Sequence, residues 1–294
     1  MNNPNKNTQN RNVQNRHVFT FIGCDKEYEE SDVVIFGAPF DSTTSYRPGT
    51  RFASSAIRNE SFGIETYSPY LDKDLTDYAF FDGGDLELTF GNPARAIKDI
   101  EAYTWQVIMD GKLPFMIGGE HLVTLGAVRA AAKAYKDLHI LHFDAHADLR
   151  EDYLGETLSH ATVMRRCWEL VGDNKITQFG IRSGDRDEFY WGRNHVKTQK
   201  FNFDGLEQVI EELKGKPVYV TIDLDVLDPA VFPGTGTPEA GGVTFLELLS
   251  AIRKLSSLHI VGLDMNELSP IYDQSGASTA LACKLLREIL LTIV

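Results

Sequence analysis

Three short stretches of this sequence set carboxylates and imidazoles at spacings that chemistry can use. They are Gly118-Gly119-Glu120-His121, Asp144-Ala145-His146-Ala147-Asp148 and Asp223-Leu224-Asp225. On an extended backbone, residues two and four apart point the same way, which predicts that Asp144, His146 and Asp148 share a direction and that Asp223 and Asp225 do too. Ionisable groups gathered at the ends of apolar runs repel one another unless a cation neutralises them. Four carboxylates match the charge of two divalent ions, and a bridging carboxylate can touch both. Carboxylates with some imidazole suit Mn2+ better than a thiolate-preferring metal. A solvated loop or an ordinary strand end would explain either aspartate motif alone. Both together, each directly after an apolar run, read as a metal site.

The elements that must position these groups are visible as alternating patterns. Short apolar runs at 33–36, 114–117, 139–143, 177–181, 218–222 and 260–263 predict buried strands. Between them lie helical patterns. Asn92 and Pro93 make an N-cap and first helical residue, with Ile97, Ile100, Thr104, Val107 and Ile108 on one face. Further helices are expected at 122–135, 161–171, 206–213, 244–255 and 277–293. Strand–helix alternation implies an α/β protein with a mainly parallel sheet covered on both faces, a three-layer α/β/α fold. Ligands of such sheets bind beyond the carboxyl ends of the strands, where these motifs and Asp264-Met265-Asn266-Glu267 fall. Residues 1–16 are polar without periodicity and are expected to be a flexible tail, leaving 17–294 as one domain.

Composition narrows the partners. With 42 acidic against 29 basic residues the net charge is −13, which disfavours nucleic acid and anionic membranes and favours cations. Cys24, Cys167 and Cys283 are too few and too scattered for a disulfide framework, and read as buried small residues in a reducing compartment. With no membrane-length apolar stretch and no signal-peptide core, a cytoplasmic protein is expected.

The chain resembles the ureohydrolase family of arginases and agmatinases, and agmatinases most. The resemblance rests on the three motifs above, on Val226-Leu227-Asp228-Pro229 following Asp225, on Gly236-Thr237-Pro238 and on Gly262-Leu263-Asp264-Met265-Asn266-Glu267. It implies two Mn2+ ions, one held by His121 and Asp148, the other by His146 and Asp225, with Asp144 and Asp223 bridging. It also implies a hydroxide between the metals that attacks a guanidinium carbon. A guanidinium stays protonated, with a pKa above roughly 12, and needs such a nucleophile. Glu267 matches the residue that pairs with the guanidinium. Asp148 could relay the nucleophile's proton, and His160 occupies the family's proton-shuttle position, although Ser159 precedes it where many agmatinases have Asp. Thr237 either helps to position substrate or belongs to a turn. The family also implies a homo-oligomer, a trimer or hexamer.

Arginine and agmatine differ at the end far from the guanidinium. The stretch 150–156, which helps to read that end in the family, carries Arg150 against Glu151, Asp152 and Glu156. That acidic balance predicts agmatine, hydrolysed to putrescine and urea. Arg150 could instead pair with a substrate carboxylate, leaving arginase or guanidinobutyrase as alternatives, and the acidic residues could simply face solvent. His142 is expected to be a satisfied core histidine and Asp264 a buttress of the Glu267 loop. Gly37–Asp41 and Arg47-Pro48-Gly49 resemble an entry segment but also any strand-to-turn connection. A metallophosphatase is disfavoured because no Gly-Asn-His is present, and a one-zinc deacetylase because Asp223 and Asp225 are paired. A non-catalytic metal-binding interaction protein is the remote alternative.

Overall fold

Alternation along the strands fixes the layers. In β1 (Val33–Gly37), Val33 and Ile35 pack into one hydrophobic cluster while Val34 and Phe36 pack into another on the opposite face. The computed structural model describes residues 19–294, so the expected tail at 1–16 lies outside them. The strands that follow are β2 (Tyr67–Ser68), β3 (Lys73–Asp74), β4 (Phe80–Asp85), β5 (Leu113–Ile117), β6 (His139–Phe143), β7 (Ile176–Ile181), β8 (Lys197–Lys200), β9 (Pro217–Asp223) and β10 (His259–Asn266). Apart from the β2–β3 hairpin, they form one eight-stranded sheet in the order β4-β1-β5-β10-β9-β6-β7-β8, every pair parallel.

The helices are α1 (Ala53–Glu60), α2 (Pro93–Met109), α3 (Thr124–Ala134), α4 (Val163–Val171), α5 (Arg186–His195), α6 (Leu206–Leu213), α7 (Phe245–Lys254) and α8 (Ala277–Thr292). α2, α3 and α4 cover one face of the sheet, and α1, α6, α7 and α8 the other, which makes the expected three-layer fold. The cap expected at Asn92 is present, its side chain accepting from Arg95 N at 3.1 Å. No helix among the described residues is long and apolar enough to cross a membrane.

The pairing register brings the site together. Ile117 lies beside Met265, Met265 beside Ile222, and Ile222 beside Phe143, so the four central strands end level. Neighbouring strands run about 4.8 Å apart, close enough for side chains just past these ends to converge. The next residues on these strands are Gly118, Asp144, Asp223 and Asn266, each within one of the four motifs. Gly118 and Gly119 are required at that point: a Cβ would collide with Asn266 Oδ1 at the first and with Phe40 O at the second.

Candidate metal centre and active site

The expected extended geometry of the two aspartate motifs is not what positions them. After β6 the chain leaves the strand, because Asp144 Oδ1 accepts from His146 N at 2.6 Å and bends the backbone. Asp148 has φ of +52°, a left-handed conformation that Asp tolerates better than most residues, and its carbonyl accepts from Met164 N and Arg165 N at the start of α4. After β9, Asp223 Oδ1 accepts from Asp225 N at 2.9 Å and winds 224–226 into a single 3-10 turn. Short-range side-chain-to-backbone bonds, rather than strand alternation, therefore aim these groups.

The expected residues nevertheless converge. His121 Nδ1 lies 3.0 Å from Asp144 Oδ2, 3.1 Å from Asp148 Oδ2 and 3.4 Å from Asp223 Oδ2. His146 Nδ1 lies 3.0 Å from Asp225 Oδ2 and 3.6 Å from Asp144 Oδ1. The cluster thus has two halves that share Asp144, one oxygen turned to each.

The donor set fits divalent cations. Thr221 Oγ1 is 2.5 Å from Asp264 Oδ1, an acceptor that takes its one proton, so it accepts from the His121 Nε2–H 2.9 Å away. This assigns the His121 tautomer and leaves the Nδ1 lone pair facing three carboxylates. Nδ1 is buried and makes no well-directed hydrogen bond there. A proton or a metal ion must answer it. Burial opposes charge on His121, yet the carboxylates of Asp144 and Asp148 close to Nδ1 lift its pKa well above the usual value. Burial and the charge of Asp144 push Asp148 up to about 7, and burial with Asp225 raises Asp223 strongly. Without a cation the cluster resists carrying its full negative charge.

A supporting layer surrounds it. His142 is fully buried, with Nε2 2.7 Å from Asp144 Oδ2 and Nδ1 3.0 Å from the Gln178 amide. It lies close enough to His121 and Asp144 to complete an ion-sized cluster, but both its nitrogens are engaged, as a satisfied core histidine requires. Gln178 also donates to Ala147 O at 2.7 Å, which ties β7 to the 144–148 turn. Asp264 holds Thr221, Tyr219 and Asn266 through hydrogen bonds of 2.5, 2.7 and 2.6 Å, so it buttresses the His121 contact as well as the loop after β10.

A cavity of about 260 Å³ opens over the cluster. Glu267, with φ of +66°, lines it and anchors to the β5 loop by accepting from His121 N at 2.7 Å. Thr237 lines it too, its hydroxyl 3.3 Å from Asp225 Oδ2. His160 stands on the wall with Nε2 3.2 Å from Ser45 Oγ, and burial pushes its pKa down to about 4. It is therefore neutral at neutral pH.

The far end of the cavity differs from expectation. Glu151, Asp152 and Glu156 are exposed and do not line it. Arg150 does, paired with Asp185 Oδ2 at 2.8 Å and Glu188 Oε2 at 3.5 Å. The acidic balance arises from Asp185 and Glu188, which a reading of 150–156 could not supply. Their signal in the sequence was a capping pattern: Asp185 and Glu188 cap α5 reciprocally. Thr43, Ser45, Tyr153 and Arg182 also escaped sequence reasoning. Arg182 clamps the carbonyls of Asp225, Val226 and Glu239 at 2.7–3.1 Å.

A parallel α/β sheet whose four central strands end in one carboxylate–imidazole cluster beneath a cavity defines a protein built to bind cations. The chain belongs to the arginase family, whose pattern it matches over residues 31–292. It is 49% identical to an agmatinase of Bacillus subtilis over 278 residues, covering 93% of this chain and 96% of the relative. A crystal structure from Clostridium difficile is 52% identical and superposes with a TM-score of 0.89, covering 91% of this chain and 98% of the other. A more distant relative, a guanidinobutyrase of Pseudomonas aeruginosa, is 35% identical over 90% of this chain and 87% of its own length.

Proposed function

We propose that the protein is a manganese-dependent ureohydrolase that converts agmatine to putrescine and urea. His121 and Asp148 would hold one ion and His146 and Asp225 the other, with Asp144 and Asp223 between them. When bound, such a metal pair supplies a hydroxide-strength nucleophile at neutral pH. Glu267 pairs with the guanidinium and sets its carbon over the cluster. Water adds to that carbon, the bond to the alkyl-bearing nitrogen breaks, and this nitrogen leaves as an amine once it gains a proton. Asp148 takes the proton that the attacking water sheds, and His160, neutral and on the cavity wall, picks a proton up and hands it to the departing nitrogen. Thr237 orients Asp225 and narrows the cavity beside it.

One observation carries the choice of substrate. Among the described residues lining the cavity, Arg150 is the one guanidinium or ammonium, and Asp185 and Glu188 already neutralise it. A substrate carboxylate would lack a free cation and meet added repulsion, whereas a second ammonium is favoured. The relatives named agmatinases agree with this reading. The family resemblance supports a homo-oligomer, a trimer or hexamer. With Mn2+ present, urea release should rank agmatine above arginine and guanidinobutyrate in kcat/KM by at least about tenfold, roughly 1.4 kcal/mol. If guanidinobutyrate or arginine led, the agmatinase reading would fall and the ureohydrolase reading would stand.

A further inference from the structure

We propose that Glu120 is a positioning residue for His160, acting through Thr43; this rests on the reading of His160 as the proton-transfer group. Glu120 is fully buried and directly precedes His121. Its Oε1 accepts from Thr43 Oγ1 at 2.6 Å, and its Oε2 accepts from Thr43 N at 2.9 Å and Thr44 Oγ1 at 3.1 Å. A threonine hydroxyl has one proton. Since Thr43 gives its proton to Glu120, its oxygen is left as an acceptor, and His160 N donates to it at 3.0 Å. The direction of every bond in the chain from Glu120 through Thr43 to His160 is thereby fixed.

The same strap also reaches the ring, because Ser45 Oγ lies 3.2 Å from His160 Nε2. Its base is rigid: Glu120 N donates to Phe40 O at 2.8 Å, and Gly119 leaves no room for a side chain against Phe40. A buried carboxyl group is costly unless well partnered, and these bonds satisfy both of its oxygens. Glu120 uses them to bind residues 43–45 to the loop that carries His121. The backbone and ring of His160 are thus located against the cluster by an element more than a hundred residues away in sequence, as the 117-residue separation of Thr43 and His160 shows.

The test compares Thr43→Val, which removes the hydroxyl and keeps the shape, with Thr43→Ser, which keeps the hydroxyl. Thr43→Val should lower kcat about 10–100-fold, less than the roughly 10²–10⁴-fold of losing a positioned acid–base group outright, because His160 itself is kept. KM for agmatine and bound manganese should stay within about twofold of wild type, and Thr43→Ser should keep most of the rate. In a His160→Asn background, Thr43→Val should add no further loss, because the group it positions is gone. Glu120→Gln, with one strong acceptor oxygen left, should fall between the two and guards against misfolding of the valine variant. The inference is overturned if Thr43→Val and Glu120→Gln keep wild-type kcat, or if they slow the His160→Asn enzyme as much as the wild type. If His160→Asn alone kept full turnover, the reading of His160 would fail first and carry this inference with it.

Discussion

Asp144 Oδ2 lies 2.7 Å from His142 Nε2 and 3.0 Å from His121 Nδ1, so one buried carboxylate oxygen faces two imidazoles. The two imidazoles differ in what else they touch. His142 has a second partner in Gln178, whereas His121 Nδ1 has none suited to it. His142 therefore orients the carboxylate, and His121 keeps the Nδ1 lone pair that the proposed metal ligation would use. Replacing His142 with Ala should weaken manganese binding by about 10–100-fold, the usual effect of losing an outer partner of a ligand. The measurement is the manganese concentration for half-maximal activity; an unchanged value would mean that Asp144 is held without His142.

His160→Asn should lower kcat by about 10²–10⁴-fold while leaving manganese content intact. His160 contacts Ser45, Thr43 and Tyr153 and stands outside the proposed ligand set. Elemental analysis of the purified variant separates the two effects. Loss of the metals would move His160 into the ligand set.

His139 gives a pH dependence independent of catalysis. It is buried at the start of β6, 3.3 Å from Lys175 Nζ, and burial first, then the charges of Lys175 and Lys216, push its pKa down to about 4 from an ordinary 6.5. Between those values the unfolded chain binds a proton that the folded chain does not. Stability therefore rises with pH there, being fully present above pH 6.5 and lost as pH falls toward about 4. His139→Gln should lose less Tm than wild type between pH 7 and pH 5. Parallel Tm curves for the two proteins would contradict this.

How much of this was legible in the sequence depended on the range of the interactions. The central strands carry continuous apolar runs and were read directly, as were the motifs at their ends. β4 was missed because Phe80-Phe81-Asp82-Gly83-Gly84-Asp85 reads as a turn. It is a strand paired in parallel with β1, and its buried Asp82 is neutralised by Arg58, 24 residues away, at 2.8 Å. β8 is a polar edge strand, Lys197-Thr198-Gln199-Lys200, without alternation to find. α1 is short, and α5 buries only Glu188 and Gly192, so it shows almost no apolar stripe. The path of residues 144–148 was misjudged because a side chain bonding its own backbone competes with extension. The far end of the cavity and the strap from Glu120 to Thr43 depend on pairs distant in sequence, 35 residues for Arg150 with Asp185 and 77 for the strap.

The central claim, a carboxylate–imidazole cluster that works by holding a pair of metal ions, is tested most directly by metal stoichiometry against activity. The apoprotein should be titrated with Mn2+ while bound metal per chain and agmatine hydrolysis are read together. Activity should rise to its maximum as the second ion binds, and Asp223→Ala should lose activity and at least one ion, because one carboxylate between the two halves is gone. Full activity with a single bound zinc, or an Asp223→Ala variant that keeps both ions and wild-type turnover, would contradict the account.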